Sequence, residues 1–265
     1  LKYCKRFYLF YSQSDTIRHQ VGDKLISPIF SIPWRHHIEI LTKCRTIDEA
    51  LFYVGKTLEN GWSRAVLLNF LDARLFETQG KALTNFRKNL PEPMSDLAQQ
   101  TLKDPYNFDF LTMRENYNER ELEDALTTNI TRFLLELGSG FAFVGRQVRL
   151  EVNGNEYFID LLFYHLKLRC YTVVELKVTE FKPEYLGQLG FYVTAVNRQL
   201  RRTEDNPTIG LIICKTKDRV VAEYALEGTN QPLGISQYDL MKVTSEELKN
   251  TLPSIEEIEN ELNEK

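Results

Sequence analysis

The sequence predicts an α/β fold in which a mixed sheet flanked by helices follows a mostly helical N-terminal region. Over residues 1–115, apolar residues recur at spacings of three and four, the period of amphipathic helices. Beyond residue 116 the pattern becomes a helix, three strand-like runs, a helix and a short apolar strand. The middle runs are apolar on both faces, as in a sheet that helices cover on both sides.

The N-terminal region contains two clear helix patterns. The segment LTKCRTIDEALFYVGKTLENG has an apolar face, and Gly61 at its end predicts a helix stop. The segment WSRAVLLNFLDARLFET begins a second helix, with Ser63 as its N-cap. Asp104-Pro105 and the polar residues around Asn116 predict a domain boundary. We therefore expect a helical domain over residues 1–115, an α/β domain over residues 116–243 and an acidic tail over residues 244–265.

The α/β domain begins with a predicted helix over residues 118–138, which Gly138 ends. Three strands follow, with the sequences FAFVGRQVRLEV, EYFIDLLFYH and RCYTVVELKV. Asn153-Gly154 predicts a hairpin turn between the first two strands. Pro183 begins another helix, which runs to about Arg198, and TIGLIIC is a last short strand.

Composition argues against a secreted or membrane protein. No apolar run approaches the roughly 20 residues needed to cross a bilayer, and the first residues lack a signal-peptide cleavage site. Four irregularly spaced cysteines without a C-x-x-C pair predict free thiols in a reducing cytoplasm. The net charge is −4, and residues 244–265, with seven acidic and two basic residues, account for more than all of it. The remainder neither excludes nor requires a nucleic-acid partner.

Asp160, Glu175 and Lys177 are the candidate chemical centre. Residues two apart on a strand point to the same face, so Glu175 and Lys177 share a face of RCYTVVELKV. If a two-residue turn at Lys167-Leu168 joins this strand to the preceding one, the hairpin register sets Asp160 opposite Glu175. A slip of one residue would move Asp160 to the other face of the sheet.

Both carboxylates lie in apolar strands, where a buried charge is costly unless it is paired or binds a metal. A divalent cation relieves the repulsion between neighbouring carboxylates, and hard oxygen ligands suit Mg²⁺ or Mn²⁺. With Lys177 holding a water nearby, these are the parts that phosphodiester hydrolysis needs. We expect the metal ligands to be Asp160, Glu175 and the carbonyl of Leu176. The alternative is a strand-end salt bridge between Lys177 and Glu175.

The second half of the chain resembles the YhcG-type family of PD-(D/E)XK nucleases. The matching segments cover about residues 120–243 and are specific as a set: FLLELGSGFAFVGRQVRL, YFIDLLFYH, LRCYTVVELK, FKPEYLGQLGFYVTAV, PTIGLIICKTKDRVVAEYAL and GISQYDL. DPYNFDFL resembles the segment before the family's nuclease domain. Residues 1–103 resemble the family's helical N-terminal domain, cut short at its start.

The resemblance implies a restriction-endonuclease-like fold and a divalent metal cofactor. It carries the family's catalytic positions over to Asp160, Glu175 and Lys177. Ile159-Asp160 stands where the superfamily name has Pro-Asp, which is a common replacement.

Gln188 and Tyr192 are auxiliary candidates because they lie four residues apart on the Pro183 helix and so share a face. The pair resembles the Gln-x-x-x-Tyr motif of RecB-like members of the superfamily, where it lies near the active site and meets the DNA backbone. The alternative is that Tyr192 belongs to the core and Gln188 has no role.

Glu123 is a further auxiliary candidate, since nucleases of this superfamily often add an acid from the helix before the strands to the metal site. Arg146 and Gln147 on the first strand are candidates for phosphate contacts, or else polar positions of an edge strand. Three other acids on the helix compete with Glu123, and a solvated helix face would explain all four: Glu119, Glu121 and Asp124.

Arg35 and Arg64 are candidate nucleic-acid contacts in the N-terminal region. They lie in Trp34-Arg35-His36-His37 and Trp62-Ser63-Arg64, where aromatic and basic residues interleave. Such interleaving suits a nucleic-acid surface. It equally suits tryptophans that anchor a helical core beside solvated basic residues.

The leading hypothesis is a cytoplasmic, metal-dependent nuclease that hydrolyses phosphodiester bonds, most readily in DNA, using Mg²⁺ or Mn²⁺. Its expected partner is nucleic acid and not a membrane, with homo-oligomerisation expected of nucleases that cut both strands. One alternative is a non-cleaving nucleic-acid-binding or assembly module that retains the fold, although the intact Asp, Glu and Lys argue against it. A two-carboxylate glycosidase fits the neighbouring lysine poorly.

Overall fold

The structure is a computed structural model that describes residues 2–12, 28–72 and 74–240. The predicted acidic tail, residues 244–265, lies outside this part of the chain. Within the described residues, no helix combines the length and the apolar character that crossing a bilayer requires.

The N-terminal region is a set of short helices around a core of its own. The elements are α1 Lys2–Tyr11, a 3-10 turn Pro28–Phe30, α2 Trp34–Lys43, α3 Ile47–Asn60, α4 Arg64–Asp72 and α5 Leu75–Thr78. Gly61 ends α3 with a left-handed backbone, φ 62°. The Val66 N–H donates to Ser63 Oγ at 3.4 Å, which caps α4. Both helix signals predicted from the sequence are therefore confirmed.

A connecting segment after α5 belongs to the sheet as much as to the helices. It contains β1 Leu83–Thr84, α6 Phe86–Asn89, α7 Met94–Thr101 and β2 Tyr106–Asn107. The sequence predicted mostly helix in this stretch. Instead β1 pairs antiparallel and β2 pairs parallel with β7, the strand over Leu233–Asp239. These short strands use backbone groups that the outer strand of the sheet would otherwise leave unpaired.

The remaining elements confirm the predicted order of helix, three strands, helix and strand, and add a helix and a strand at the end. They are α8 Glu119–Thr128, α9 Ile130–Leu137, β3 Phe141–Val152, β4 Asn155–His165, β5 Cys170–Glu180, α10 Glu184–Gln199, β6 Ile209–Thr216, α11 Arg219–Glu227 and β7. The predicted turn at Asn153-Gly154 is present, with φ values of 52° and 77°. Positive φ at both positions is what a two-residue hairpin needs.

The single helix predicted over residues 118–138 is wrong, because the chain forms two helices that break at Asn129. This residue leaves the helical conformation, with φ −102° and ψ 33°. Its side-chain amide donates to the Ala125 carbonyl at 3.0 Å. Asparagine breaks the helix here because its side chain competes with the backbone for hydrogen bonds.

The sheet is mixed, as predicted, with the strand order β1-β7-β6-β5-β4-β3. The β3–β4 and β4–β5 pairs are antiparallel, whereas the β5–β6 and β6–β7 pairs are parallel. One face packs on α8, α9 and the connecting segment, through residues such as Leu122, Phe133, Phe163 and Leu176. The other face packs on α10 and α11, through residues such as Leu189, Val193, Ile212 and Leu226.

The β4–β5 hairpin has the predicted register but a longer connection. His165 pairs with Cys170 and Leu161 pairs with Val174, so one further step sets Asp160 opposite Glu175. The connection is the four residues 166–169 instead of a two-residue turn. The reason is that the Leu166 N–H donates to the Gly140 carbonyl at 2.8 Å and does not pair across the hairpin.

Candidate active site

The candidate site lies where β4 and β5 separate. Their pairing runs from His165–Cys170 to Leu161–Val174 and stops there. Beyond that point β4 continues to pair with β3, and β5 continues to pair with β6. The next residues on the two strands are Asp160 and Glu175, so both carboxylates stand at the opening between the strands.

Backbone groups left unpaired by this opening bind the two carboxylates. The Leu176 N–H donates to Asp160 Oδ2 at 3.0 Å. The Asp160 N–H in turn faces the Glu175 carboxylate and acts to lower its pKa. Each acid is therefore oriented by the strand opposite, and the parting of β4 and β5 determines where both carboxylates point.

Glu175 is almost fully buried, with 2% of its surface exposed, and within the described part of the chain its Oε1 has no hydrogen-bond partner. Burial and the charge of Asp160 raise the pKa of Glu175 to about 8, against the opposing effect of Lys177. Burial likewise raises the pKa of Asp160 above its usual range, although the Leu176 N–H and Lys177 act to lower it. The site thus favours the neutral form of Glu175 unless further positive charge is brought close to it.

Lys177 shares a face with Glu175, as the strand alternation predicted, and its Nζ lies 3.8 Å from Glu175 Oε2. The same Nζ lies 3.3 Å from Glu119 Oε2, and it stands over the Tyr185 ring at 5.3 Å. Burial acts to lower the pKa of this ammonium, but Glu175, Glu119 and Asp160 together raise it. Lys177 is therefore held as a cation among three carboxylates.

Glu119 is a site residue that the sequence analysis treated only as a rival of Glu123. It lies at the first position of α8, from which its carboxylate reaches Lys177. Glu119 and Glu123 are one helical turn apart and so share the face of α8 that meets the sheet. The spacing of four residues was the signal in the sequence that both belonged on one side.

Glu123 is buried, and it connects to Asp160 through one amide. Gln147 Nε2 donates to Glu123 Oε2 at 2.6 Å and to Asp160 Oδ1 at 3.4 Å. Burial and the charge of Asp160 raise the pKa of Glu123, while the Gln147 hydrogen bond lowers it. Gln147 has a left-handed backbone, φ 45°, in the middle of β3. The Gln147 amide, which we expected to contact phosphate, thus already bonds two acids of the candidate site.

Arg146, the neighbouring candidate, is paired with acids of α8. Its side chain lies 3.4 Å from Glu123 Oε1 and 2.5 Å from Asp124 Oδ1. It also donates to Thr127 Oγ1 at 3.2 Å. A phosphate at Arg146 would have to compete with these carboxylates.

Gln188 and Tyr192 form the predicted pair on α10. Gln188 Nε2 donates to the Tyr192 hydroxyl at 3.1 Å, with Tyr192 buried and Gln188 exposed. Burial raises the pKa of Tyr192, and the charges of Glu175 and Asp160 raise it further. The hydroxyl therefore lies within electrostatic reach of the carboxylates, on the side of the site opposite to α8.

Arg35 and Arg64 are on the N-terminal helices and make no contact with these site residues within the described part of the chain. Arg64 forms an ion pair with Glu39 at 2.5 Å. Arg35 is exposed, and in the described residues it has no ion-pair partner.

The chemistry of the site fits a hard divalent cation. Asp160 and Glu175 offer carboxylate oxygens, and one of those oxygens is buried without a partner. The N–H and carbonyl of one strand residue point to the same edge of the strand. The Leu176 carbonyl therefore faces the same opening as Asp160. Among the described residues, no group of three or more His, Cys, Asp or Glu side chains is arranged to hold a metal.

Two family models and a relative match this chain. Residues 99–253 match the model of the YhcG PDDEXK nuclease domain, and residues 1–78 match that of the DUF1016 N-terminal domain. A relative from Escherichia coli (strain K12), named "Putative nuclease YhcG", is 32% identical over 247 residues. That alignment covers 90% of this chain but 65% of the relative, so the chain spans about two thirds of the relative's length.

Two solved structures share part of the architecture. A repair endonuclease from Pyrococcus abyssi is 14% identical, with a TM-score of 0.32 over 49% of each chain. A structure described as the EndoMS-dsDNA2 complex is 15% identical, with a TM-score of 0.34 over 50% of this chain and 48% of the other. The nuclease-domain model alone matches more than half of the residues. The chain belongs to the family of YhcG PDDEXK nuclease domains.

Proposed function

We propose that the chain hydrolyses phosphodiester bonds in DNA with a divalent cation, Mg²⁺ or Mn²⁺. The observation that carries this proposal is the buried, unpartnered Oε1 of Glu175 beside the Asp160 carboxylate. Burying such a group is costly unless something neutralises it. Because Lys177 lies 3.8 Å away and is shared with Glu119, it offsets this charge only in part.

In this proposal Asp160, Glu175 and the Leu176 carbonyl hold the cation. When bound, the cation supplies a Lewis acid that polarises the phosphate and lowers the pKa of a water. The hydrogen bond from the Leu176 N–H keeps the Asp160 carboxylate aimed into the opening, and the Asp160 N–H faces the Glu175 carboxylate. Preorganisation of this kind avoids the cost of reorienting ligands during the reaction.

Lys177 would act on the reacting groups directly. Its ammonium is held as a cation by three acids, and charge on the scissile phosphate grows as the phosphodiester is attacked. The raised pKa makes Lys177 better suited to hold a water and to stabilise negative charge than to remove a proton. Tyr192 and Gln188 would border the substrate on the α10 side.

The choice of DNA over RNA follows the leading hypothesis from the sequence, and the EndoMS-dsDNA2 complex has DNA in its description. A non-cleaving binding module is the second candidate. It would have no need to keep two buried carboxylates and a lysine in one opening, since such a charged cluster costs stability.

The decisive experiment combines calorimetry with a cleavage panel. Glu175→Gln and Asp160→Asn should lose tight Mn²⁺ binding and cleavage, whereas Glu180→Gln should retain both. Glu180 is a matched control because it lies on the same strand but is exposed. The substrates are single-stranded, double-stranded and branched DNA and RNA, each with Mg²⁺, with Mn²⁺ and with EDTA.

Unchanged Mn²⁺ affinity in both variants would remove the metal assignment. Metal binding without cleavage of any substrate would favour the non-cleaving module. Cleavage of RNA alone would overturn the DNA assignment and leave the mechanism intact.

The domain division, the location and the assembly state remain proposals. The pairing of β1 and β2 with β7 supports a boundary nearer residue 80 than residue 115. Four free cysteines are consistent with the proposed cytoplasmic location. A homo-oligomer would follow if the nuclease cuts both strands of a duplex.

A further inference from the structure

An aromatic and basic surface lies far along the chain from the candidate site, on α1, the 3-10 turn and α2. We call it the α1–α2 surface. It consists of four aromatic residues, Tyr3, Tyr8, Phe30 and Trp34, and four basic residues, Lys2, Lys5, Arg6 and Arg35. All eight are exposed.

The charge of this surface is of one sign. Residues 2–12 and 28–38 contain four Lys or Arg and no Asp or Glu, whereas the whole chain has a net charge of −4. Within the described residues, none of the four cations has an ion-pair partner. By contrast Lys43, the next cation on α2, pairs with Asp72, and Arg64 at the start of α4 pairs with Glu39 of α2. The unpaired cations of the α1–α2 surface are therefore available to a polyanion.

The aromatic rings of this surface are anchored at one end and open at the other. Phe7 lies 5.6 Å from the Trp34 ring and 6.1 Å from the Phe30 ring, centroid to centroid. Despite these contacts Phe30 is 66% exposed and Trp34 is 43% exposed. Tyr3 is one helical turn before Phe7 and so extends the same row of rings.

The second tryptophan shows what a structural ring looks like in this region. Trp62 stacks on Phe70 at 4.2 Å, with an interplanar angle of 25°. His36 and His37 are buried and bond the carbonyls of Trp62 and Ile29. Trp62 and both histidines therefore have the structural role that the sequence analysis gave as the alternative. Trp34 and Arg35, by contrast, are exposed.

We propose that the α1–α2 surface binds an unpaired stretch of nucleic acid, with its cations along the phosphates and its aromatic rings stacked on bases. This deepens the proposed function by naming a second contact with the substrate. Aromatic platforms between basic groups are the arrangement that binds single strands, because every base has a face to stack. In a duplex the bases stack on one another, so no base face is free to stack on these rings. The preferred ligand is therefore single-stranded.

The test is binding of a labelled 20-nucleotide oligodeoxythymidylate to the full chain in EDTA. Because no cleavage occurs in EDTA, failure here is distinguishable from failure of the nuclease assignment. Trp34→Ala should weaken binding about fivefold or more, since losing one stacked base has that effect. Trp34→Phe should stay within about twofold, because phenylalanine also stacks. The matched control is Tyr224→Ala, an exposed aromatic on α11 that should bind as the wild type does.

The cations are tested through the salt dependence of the same binding. Lys5→Gln/Arg6→Gln should flatten the slope of log affinity against log salt by about 1.4, roughly 0.7 for each lost single-strand phosphate contact. Lys81→Gln/Arg87→Gln, exposed cations elsewhere in the first half, should leave the slope unchanged. An unchanged slope in the first variant, with wild-type affinity in Trp34→Ala, overturns the proposal.

A fluorescence readout covers the case in which Trp34→Ala fails to fold. The chain has two tryptophans, so Trp62→Phe leaves Trp34 as the only source of tryptophan fluorescence. Titration with the oligodeoxythymidylate should quench it, as expected for a ring stacked on a base. Absence of quenching, absence of binding, or equal loss of single-strand and duplex affinity in Trp34→Ala would each overturn the proposal.

Discussion

Two buried charge clusters in this molecule differ in their balance of charge. Lys103 and Glu136 are 1% and 7% exposed, and their Nζ and Oε1 lie 3.1 Å apart. One cation faces one carboxylate, the Asn107 N–H binds the same Glu136 oxygen, and the Phe70 ring covers Nζ at 5.4 Å. In the candidate site, by contrast, Lys177 faces the three carboxylates of Glu119, Asp160 and Glu175.

The difference separates a structural ion pair from a candidate site on physical grounds. Burial alone lowers the pKa of Lys103 and raises that of Glu136, and the pair offsets part of this cost internally. The site cannot do so to the same extent, because three carboxylates share its one cation. Excess charge of one sign in a buried opening indicates a place for a cation from outside the chain.

The largest expected effect concerns stability at the balanced pair. Lys103→Met should lower the free energy of unfolding by about 3–5 kcal/mol, because it leaves Glu136 buried without a counter-charge. The double variant Lys103→Met/Glu136→Gln should recover much of this loss, since the amide is neutral and still accepts from the Asn107 N–H. Urea denaturation of both variants is the measurement. If the single and double variants were equally unstable, the pairing would not be the cause.

The same lysine-to-methionine substitution in the candidate site should affect cleavage more than it affects stability. Lys177→Met should lower the cleavage rate about 10²–10³-fold, the cost typical of losing one group that stabilises transition-state charge. Its loss of unfolding free energy should be less than half that of Lys103→Met, because the partly exposed site can relieve its charge by proton uptake at Glu175. Single-turnover cleavage and denaturation test both halves. A rate within tenfold of the wild type would contradict the role of Lys177.

His165 is a third buried ionisable group, and among the described residues no acid forms an ion pair with it. Burial, with a smaller contribution from the charge of nearby Lys167, lowers the pKa of its imidazole from 6.5 to about 4. Below pH 6.5 this imidazole then binds a proton in the unfolded chain but stays neutral in the folded chain. Stability from this residue is present above pH 6.5 and is lost as pH falls towards 4, about 2 kcal/mol between pH 7 and pH 5.

His165→Asn should remove that part of the pH dependence. The asparagine oxygen can accept from the Leu168 N–H, as His165 Nδ1 does at 3.0 Å. Unfolding free energies of wild type and variant at pH 7 and pH 5 give the comparison. Equal pH dependence in both proteins would show that the imidazole is not held neutral.

The smallest expected effect is that of shortening Gln147, whose side-chain amide bridges Glu123 and Asp160. Gln147→Asn tolerates the left-handed backbone but is too short to reach both acids. Cleavage and Mn²⁺ affinity should each fall about tenfold, the lower end for groups that orient metal ligands, because the bond to Asp160 is long at 3.4 Å. Arg149→Gln on the same strand is the control. Wild-type affinity in Gln147→Asn would make Gln147 a bystander.

Local patterns along the chain were enough to predict part of this arrangement. Strand alternation put Glu175 and Lys177 on one face, and the hairpin register predicted Asp160 opposite Glu175. Both follow from the period of two along a strand, which operates over a few residues. The helix stop at Gly61, the cap at Ser63 and the turn at Asn153-Gly154 are local for the same reason.

Contacts between distant segments fix which helix residues lie at the candidate site. Glu119 reaches Lys177 because α8 packs its first turn against β5, 58 residues away along the chain. Gln147 bridges Glu123 and Asp160 because β3 adopts a left-handed residue at that point. The parting of β4 from β5 and the pairing of β1 and β2 with β7 likewise depend on contacts between distant segments. Propensity and spacing describe neighbours along the chain, whereas these contacts depend on which faces the whole core brings together.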